Sequence, residues 1–207
     1  MGLDITVLMA DWERLARIPA AERLGTLTDT AYPDFCCDAC WDADFAVPDG
    51  WVWPRNQEQP WCAEYRFSGT TGTYKWHFEL DCAWEDMREF TEPGLREALE
   101  TFLGGIVGED SGGGDDGRPA GESGETAEPW HARLLLYCPP EKAAVLARSW
   151  EQAAPRLEQL RAPFEAEATR WACRPKTFDA MGALLREWGE VVTEAGRRGW
   201  GLVGLPW

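Results

Sequence analysis

The residues that could act on a small molecule concentrate between Trp61 and Leu80. Apolar and polar residues alternate over residues 61–68 and again over 74–80, and a short segment rich in glycine and threonine separates the two runs. This pattern predicts a central β-hairpin over residues 61–80. On adjacent strands, its polar face would bring five charged or titratable side chains close together: Glu64, Arg66, Lys75, His77 and Glu79.

Two interpretations of this predicted face stay open. A histidine beside a carboxylate could serve as a general base while Arg66 or Lys75 holds an anion, as in an enzyme or a small-molecule-binding protein. The outer face of an antiparallel sheet also carries charges for solubility alone. The sequence contains no serine-hydrolase, P-loop, zinc-protease or dinucleotide-binding motif. We therefore assign no catalytic residue and favour a protein that is not an enzyme.

Three cysteines, Cys36, Cys37 and Cys40, form a CCxxC motif. A CxxC pair can bind zinc, but a closed structural site needs four ligands, usually from two such pairs, and the chain has no second pair. The alternative is that these cysteines are small core residues on a short helix over residues 34–42. We favour the core interpretation, which leaves zinc as the only cofactor that the sequence suggests.

The segment around these cysteines is acidic and is followed by tryptophans. Its spacing fits no EF-hand, so the carboxylates are interpreted as a solvated face or as a surface that meets a basic protein partner. Tryptophans next to prolines are also candidates for exposed binding residues. The candidate partner-binding residues are Asp34, Asp38, Asp42, Asp44, Asp49, Trp51 and Trp53.

Length and charge limit the classes of function. The 207 residues predict a single domain over residues 1–207. The net charge of −16 argues against nucleic acid and anionic membranes as partners and favours a basic protein. The sequence has no apolar run long enough for a membrane span. Seven cysteines without a secretory signal favour reduced thiols in the cytoplasm.

The predicted elements alternate between strands and helices. Residues 108–129 hold seven acids and seven glycines and no large apolar residue, which predicts a disordered acidic insertion. Elsewhere we predict a first strand over 3–9, helices that follow Asp11, Pro19, Pro93, Pro139 and Thr177, and strands over 51–53, 130–137 and 200–205. The predicted class is α+β, with a small, mainly antiparallel sheet covered by helices.

Two parts of the chain resemble one bacterial family. LLLYCPPEKAAVLARSW and TFDAMGALLREWGEVVTEAGRRGWGLVGL resemble the closing half of the YfbM-like family of unknown function, and MGLDITVLMADWERL resembles its opening strand and helix. The resemblance implies, in this order, a strand, a helix whose start contains proline, a long helix and a final strand. It implies no activity, catalytic residue or cofactor, and it suggests an immunity-type binding role. We therefore expect a cytoplasmic binding protein, an immunity-type inhibitor with a basic protein partner.

Overall fold

The computed structural model of the protein describes residues 5–31, 49–54, 60–68, 75–107, 130–167 and 175–206. Within these ranges, a five-stranded antiparallel sheet is covered by helices. This confirms the predicted α+β class. The predicted short helix over 34–42 and the predicted disordered insertion over 108–129 lie outside the described residues.

The sheet is built around the first strand of the chain. Its order is β2-β3-β1-β5-β4, and every neighbouring pair is antiparallel. Leu8 of the central strand lies opposite Glu64 on one side and Val203 on the other. The strands are β1 (Ile5–Ala10), β2 (Gly50–Val52), β3 (Cys62–Arg66), β4 (Leu136–Cys138) and β5 (Gly201–Pro206).

Several helices begin at residues that the sequence marks clearly, such as Asp11, Pro93 and Thr177. The α-helices are α1 (Trp12–Arg17), α2 (Ala20–Ala31), α3 (Lys75–Met87), α4 (Pro93–Gly104), α5 (Pro140–Ala153), α6 (Arg161–Glu167) and α7 (Phe178–Arg198). Short 3₁₀ helices cover Arg88–Phe90, His131–Arg133 and Ala154–Leu160. Asp11 caps α1 by accepting the N–H groups of Glu13 and Arg14 at 3.0 and 3.2 Å.

Both faces of the sheet are buried. Val7, Met9 and Tyr65 face the larger core, which the helices from α3 to α7 complete. Leu8 and Val203, which point to the opposite face, pack in a second core with residues of α1 and α2. Because both faces of the sheet are buried, the sequence of β1 is almost entirely apolar and does not alternate between apolar and polar residues.

The prediction of a second hairpin strand before Leu80 is wrong. Residues Lys75–Met87 form α3, and β3 pairs instead with β1 and β2. The buried residues His77, Leu80, Trp84 and Met87 recur every three or four positions, which is the period of one helix face. The alternation over residues 74–80 was too short to distinguish a strand from this helical period.

The predicted strand over residues 130–137 is only partly present. The segment begins with the 3₁₀ helix His131–Arg133, and the strand is limited to Leu136–Cys138. Trp130 and Leu134 pack in the second core, so burial of this segment does not depend on strand pairing.

Among the helices of the described ranges, none combines the length and apolarity that a membrane crossing requires.

Candidate functional site

Four aromatic rings form a continuous row beside the edge strand β2. From one end to the other these residues, the aromatic row, are Trp200, Trp53, Trp51 and Tyr65. The ring centroids lie 6.3 Å apart between Trp200 and Trp53, 6.3 Å between Trp53 and Trp51, and 5.0 Å between Trp51 and Tyr65. The three indoles are half-buried, whereas Tyr65 is buried. The row therefore presents apolar ring surface at the boundary between core and solvent.

Strand pairing brings the rings together. Trp51 of β2 lies directly opposite Tyr65 of β3 in the antiparallel register. Directly opposed residues project to the same face of the sheet, so these two rings make an edge-to-face contact. Trp200 lies between the end of α7 and the start of β5. The row thus joins the neighbouring strands β2 and β3 to the segment between α7 and β5, which is far from them in the sequence.

Three carboxylates, here called the acidic cluster, lie at the Tyr65 end of the row: Asp49, Glu187 and Glu190. The Tyr65 hydroxyl donates a hydrogen bond of 3.0 Å to Glu190 Oε2. The backbone N–H of Ser68 donates one of 2.7 Å to Glu187 Oε1. These bonds fix both glutamates of α7 against β3 and the residues that follow it.

The electrostatic environment of Glu187 is unfavourable to its charge. Partial burial raises the pKa of Glu187, and the nearby charges of Asp49 and Glu190 raise it further, although the Ser68 hydrogen bonds oppose the increase. In the part of the chain that the structure describes, no lysine or arginine forms an ion pair with any residue of the acidic cluster. The cluster is therefore a local concentration of negative charge that no ion pair within the described ranges compensates.

At the Trp200 end of the row, in contrast to the described residues of the Tyr65 end, a cation of the chain lies against the rings. The Arg198 guanidinium lies 4.4 Å from the ring centroid of Trp53 and 5.2 Å from that of Trp200. Its Nε donates a hydrogen bond of 2.5 Å to Glu194. Hydrogen bonds from Arg197 and Arg198 lower the pKa of Glu194 to about 2, against a smaller opposing effect of burial. At this end, an internal cation is both stacked on indole rings and paired with a carboxylate.

The structure places part of the predicted partner-binding set in this surface. Asp49, Trp51 and Trp53 belong to it. The other predicted members, Asp34, Asp38, Asp42 and Asp44, lie outside the described residues. Sequence reasoning missed Glu187 and Glu190. Their only signal is that they follow one another at helical spacing on the polar side of α7.

The predicted polar face of a hairpin does not form. Glu64 and Arg66 of β3 pair with each other at 3.3 Å, but His77 and Glu79 belong to α3 and are buried. Lys75 is the first residue of that helix. Burial raises the pKa of Glu64, and its pairing with Arg66 partly opposes this. The five residues were predicted to share one face on the assumption of a second strand, which is absent here.

His77 is a core residue. Its ring packs edge-to-face against Phe67 and Trp188, with centroid distances of 5.0 and 5.3 Å. Only 2% of its surface is exposed, and burial lowers its pKa to about 4. The imidazole is therefore neutral at physiological pH and is not positioned to exchange protons with a ligand in solvent.

The predicted zinc ligands Cys36, Cys37 and Cys40 lie outside the described residues. Within the described ranges, no group of three or more His, Cys, Asp or Glu residues could hold a metal ion. Cys62 and Cys138 are buried free thiols, and burial raises the pKa of each to about 12. Both are therefore unreactive core residues under ordinary conditions.

Comparison with known proteins adds no relative to this description. No family model, no curated protein and no solved structure matches the chain. The resemblance to the YfbM-like family therefore stays a prediction that rests on the quoted segments, and the aromatic row and acidic cluster have to be interpreted from their own geometry.

Proposed function

We propose that the protein is a cytoplasmic binding protein that engages a basic protein partner through the aromatic row and the acidic cluster. The observation that carries the proposal is the juxtaposition of half-buried indole rings with carboxylates that no cation of the described residues neutralises. Aromatic rings supply apolar contact area at an interface, and uncompensated charge supplies attraction to a partner of opposite sign.

The acidic cluster contrasts with several other carboxylates of the described residues, which pair with arginines. Glu92 pairs with Arg156, Glu158 pairs with Arg161, and Glu194 pairs with two arginines. The cluster retains like charges beside one another, which disfavours the charged form of Glu187. A basic partner would remove this repulsion on binding, so an arrangement that is costly in the free protein is favourable in the complex.

The charge of the whole chain supports the same partner class. A net charge of −16 would accelerate encounters with a basic protein and would make the complex sensitive to salt. Inhibition by an immunity-type protein is a specific form of such binding, in which an acidic protein covers a basic toxin. We favour this form because the resemblance found in the sequence suggests it.

Native mass spectrometry of the protein purified from the cells that produce it tests the proposal. At low salt, we expect a stoichiometric complex with one basic protein, and we expect this complex to dissociate as the salt concentration rises. The mass of the free chain at every salt concentration would contradict the proposal. A partner that is itself acidic, or a complex insensitive to salt, would contradict the electrostatic basis of binding.

Two variants that remove the same amount of charge test whether the complex forms through this surface. Asp49→Asn, Glu187→Gln and Glu190→Gln together remove the charge of the acidic cluster. Glu97→Gln, Glu100→Gln and Glu151→Gln together remove the same charge from exposed positions on α4 and α5. The first variant should lose the partner and the second should retain it. Equal loss from both variants would show that net charge alone, and not this surface, determines binding.

A further inference from the structure

One arginine side chain joins two tryptophans at the Trp200 end of the aromatic row. The guanidinium carbon of Arg198 lies 4.4 Å from the ring centroid of Trp53 and 5.2 Å from that of Trp200, and the two indole centroids are 6.3 Å apart. A guanidinium within about 6 Å of an indole centroid is attracted to the face of the ring. Arg198 therefore makes favourable contacts with two rings from distant parts of the chain.

The position of this guanidinium is itself fixed. Arg198 is the last residue of α7, and its Nε donates a hydrogen bond of 2.5 Å to Glu194 Oε1, one helical turn earlier. Only 31% of the Arg198 side chain and 22% of the Glu194 side chain are exposed. A planar guanidinium can stack on a ring and donate to a carboxylate at the same time. The ion pair thus holds a cation at a defined place against the row.

The two tryptophans differ in how their backbones are held. The N–H of Trp200 donates a hydrogen bond of 2.9 Å to the carbonyl of Ala195, and β5 begins at the next residue. Trp53 instead follows β2, whose pairing with β3 stops one residue earlier. The indole of Trp53 is half-buried and contacts Trp51, Trp200 and Arg198. Side-chain contacts, and not strand pairing, therefore orient Trp53.

A neighbouring arginine separates the ring contact from the ion pair. Arg197 also donates to Glu194, through two hydrogen bonds of 2.7 Å. Its side chain is 62% exposed, and among the described residues it lies against no aromatic ring. Because Arg197 pairs with Glu194, this carboxylate keeps a cation when Arg198 is removed. The contribution that belongs to Arg198 alone is its contact with the two indoles.

We propose that Arg198 is a positioning residue of the binding surface: its guanidinium holds the indoles of Trp53 and Trp200 in the orientation in which they contact the partner. This inference rests on the proposed function and specifies how one end of the aromatic row is prepared for binding. A side chain that is ordered beforehand does not have to be ordered by the partner, which improves affinity. Lysine is a poor substitute, because its ammonium lacks the planar group that stacks on a ring while donating to a carboxylate.

Fluorine NMR of the full chain labelled with 5-fluorotryptophan tests the positioning. Trp53→Phe and Trp200→Phe assign the two resonances. Arg198→Ala should move both towards the resonance of free 5-fluorotryptophan, as expected of rings that sample several orientations, whereas Arg197→Ala should leave both in place. If Arg198→Ala does not fold, as judged by circular dichroism, Arg198→Lys serves instead and should move them in the same direction. Unchanged resonances in the folded Arg198 variant, or equal changes in Arg197→Ala, would overturn the proposal.

Partner affinity connects this positioning with binding. The probe is the basic protein recovered with the chain at low salt, titrated by calorimetry into Arg198→Ala and Arg197→Ala. Both variants lose one positive charge, which by itself favours a basic partner equally in the two. Arg198→Ala should nevertheless bind roughly two- to tenfold more weakly than Arg197→Ala, the loss expected when a side chain has to be ordered on binding. A difference of this sign cannot arise from net charge.

The two proposals fail in distinguishable ways. A basic partner that binds both arginine variants equally overturns the positioning role of Arg198 and leaves the proposed function standing. The absence of any basic partner in native mass spectrometry removes the proposed function and the binding role of Arg198 with it. In that case the fluorine spectra still show whether Arg198 orients the two indoles.

Discussion

The hydroxyl of Tyr65 lies 3.0 Å from Glu190 Oε2 and donates a hydrogen bond to it, joining residues 125 positions apart in the sequence. Tyr65 is buried in the core, and Glu190 is exposed. This bond connects the aromatic row to the acidic cluster and fixes the position of a carboxylate at the surface. The candidate binding surface is therefore an extension of the core and not a set of independent surface residues.

Tyr65→Phe should lower the free energy of unfolding by about 1 kcal/mol, because it removes this hydrogen bond while preserving the ring. The measurement is urea unfolding, combined with Glu190→Ala in a double-mutant cycle. The two substitutions should be non-additive by roughly 0.5–1 kcal/mol. Additive effects would show that the bond does not contribute to the stability of the protein in solution.

The stability of the protein should depend on the protonation of His77. The pKa of His77 falls from 6.5 in the unfolded chain to about 4 in the core, so between these values the unfolded state binds more protons than the native state. This contribution to stability is complete above pH 6.5 and is lost as the pH falls towards 4. The total is roughly 3 kcal/mol, since a pKa difference of one corresponds to about 1.4 kcal/mol.

His77→Phe isolates this effect. The variant cannot take up the proton, so its free energy of unfolding should decrease less steeply than that of the native sequence as the pH is lowered from 7.5 to 4.5. Urea unfolding at several pH values measures both slopes, and carboxylates common to the two proteins cancel in the difference. Identical slopes would mean that His77 is accessible to protons in the native state.

Two glycine-to-alanine substitutions should have opposite effects. A methyl group at Gly189 of α7 would overlap the indole ring of Trp150, which stacks on Phe102, so Gly189→Ala should destabilise the protein by about 3 kcal/mol or more. At Gly25 of α2 a methyl group meets no atom of the described residues within 4 Å. Gly25→Ala should therefore stabilise the protein by roughly 0.5–1 kcal/mol through helix propensity. Thermal unfolding measures both, and a tolerated Gly189→Ala would contradict the close packing of α5 on α7.

Glu187→Gln should stabilise the free protein at neutral pH. It removes a partly buried charge and its repulsion with Asp49 and Glu190, while the amide oxygen still accepts the Ser68 N–H. The gain should be only about a few tenths of a kcal/mol, because Glu187 is partly exposed and solvent screens the charges. Glu97→Gln on α4 is the control and should change stability little. A clear loss of stability in Glu187→Gln would show that the charge is structurally required.

Short-range signals in the sequence predicted much of the fold. Asp11 and Thr177 cap helices as expected, and the α-helix that begins at Pro140 ends just before Pro155. Gly199 ends α7 with a φ of 66°, the left-handed conformation that glycine adopts readily. These features depend on residues adjacent in sequence, and for this reason they could be recognised without a structure.

Features that depend on packing could not be predicted in the same way. The alternation at residues 74–80 fits a strand locally, but Leu80, Trp84 and Met87 form a helix face that packs into the core. Likewise, Glu187 and Glu190 resemble ordinary solvated residues of an amphipathic helix. Only the packing of α7 beside β3 brings them to Tyr65 and Ser68, so the sequence alone could not reveal the acidic half of the surface.

The most direct test of the account is the amount of basic partner retained by three forms of the protein at low salt. These are the native sequence, the variant that neutralises Asp49, Glu187 and Glu190, and the variant that neutralises Glu97, Glu100 and Glu151. The account predicts one partner per chain for the native and control forms and at least a tenfold weaker complex for the site variant, as expected from about 1.4 kcal/mol lost over three charges. Equal retention of the partner by all three forms would contradict it.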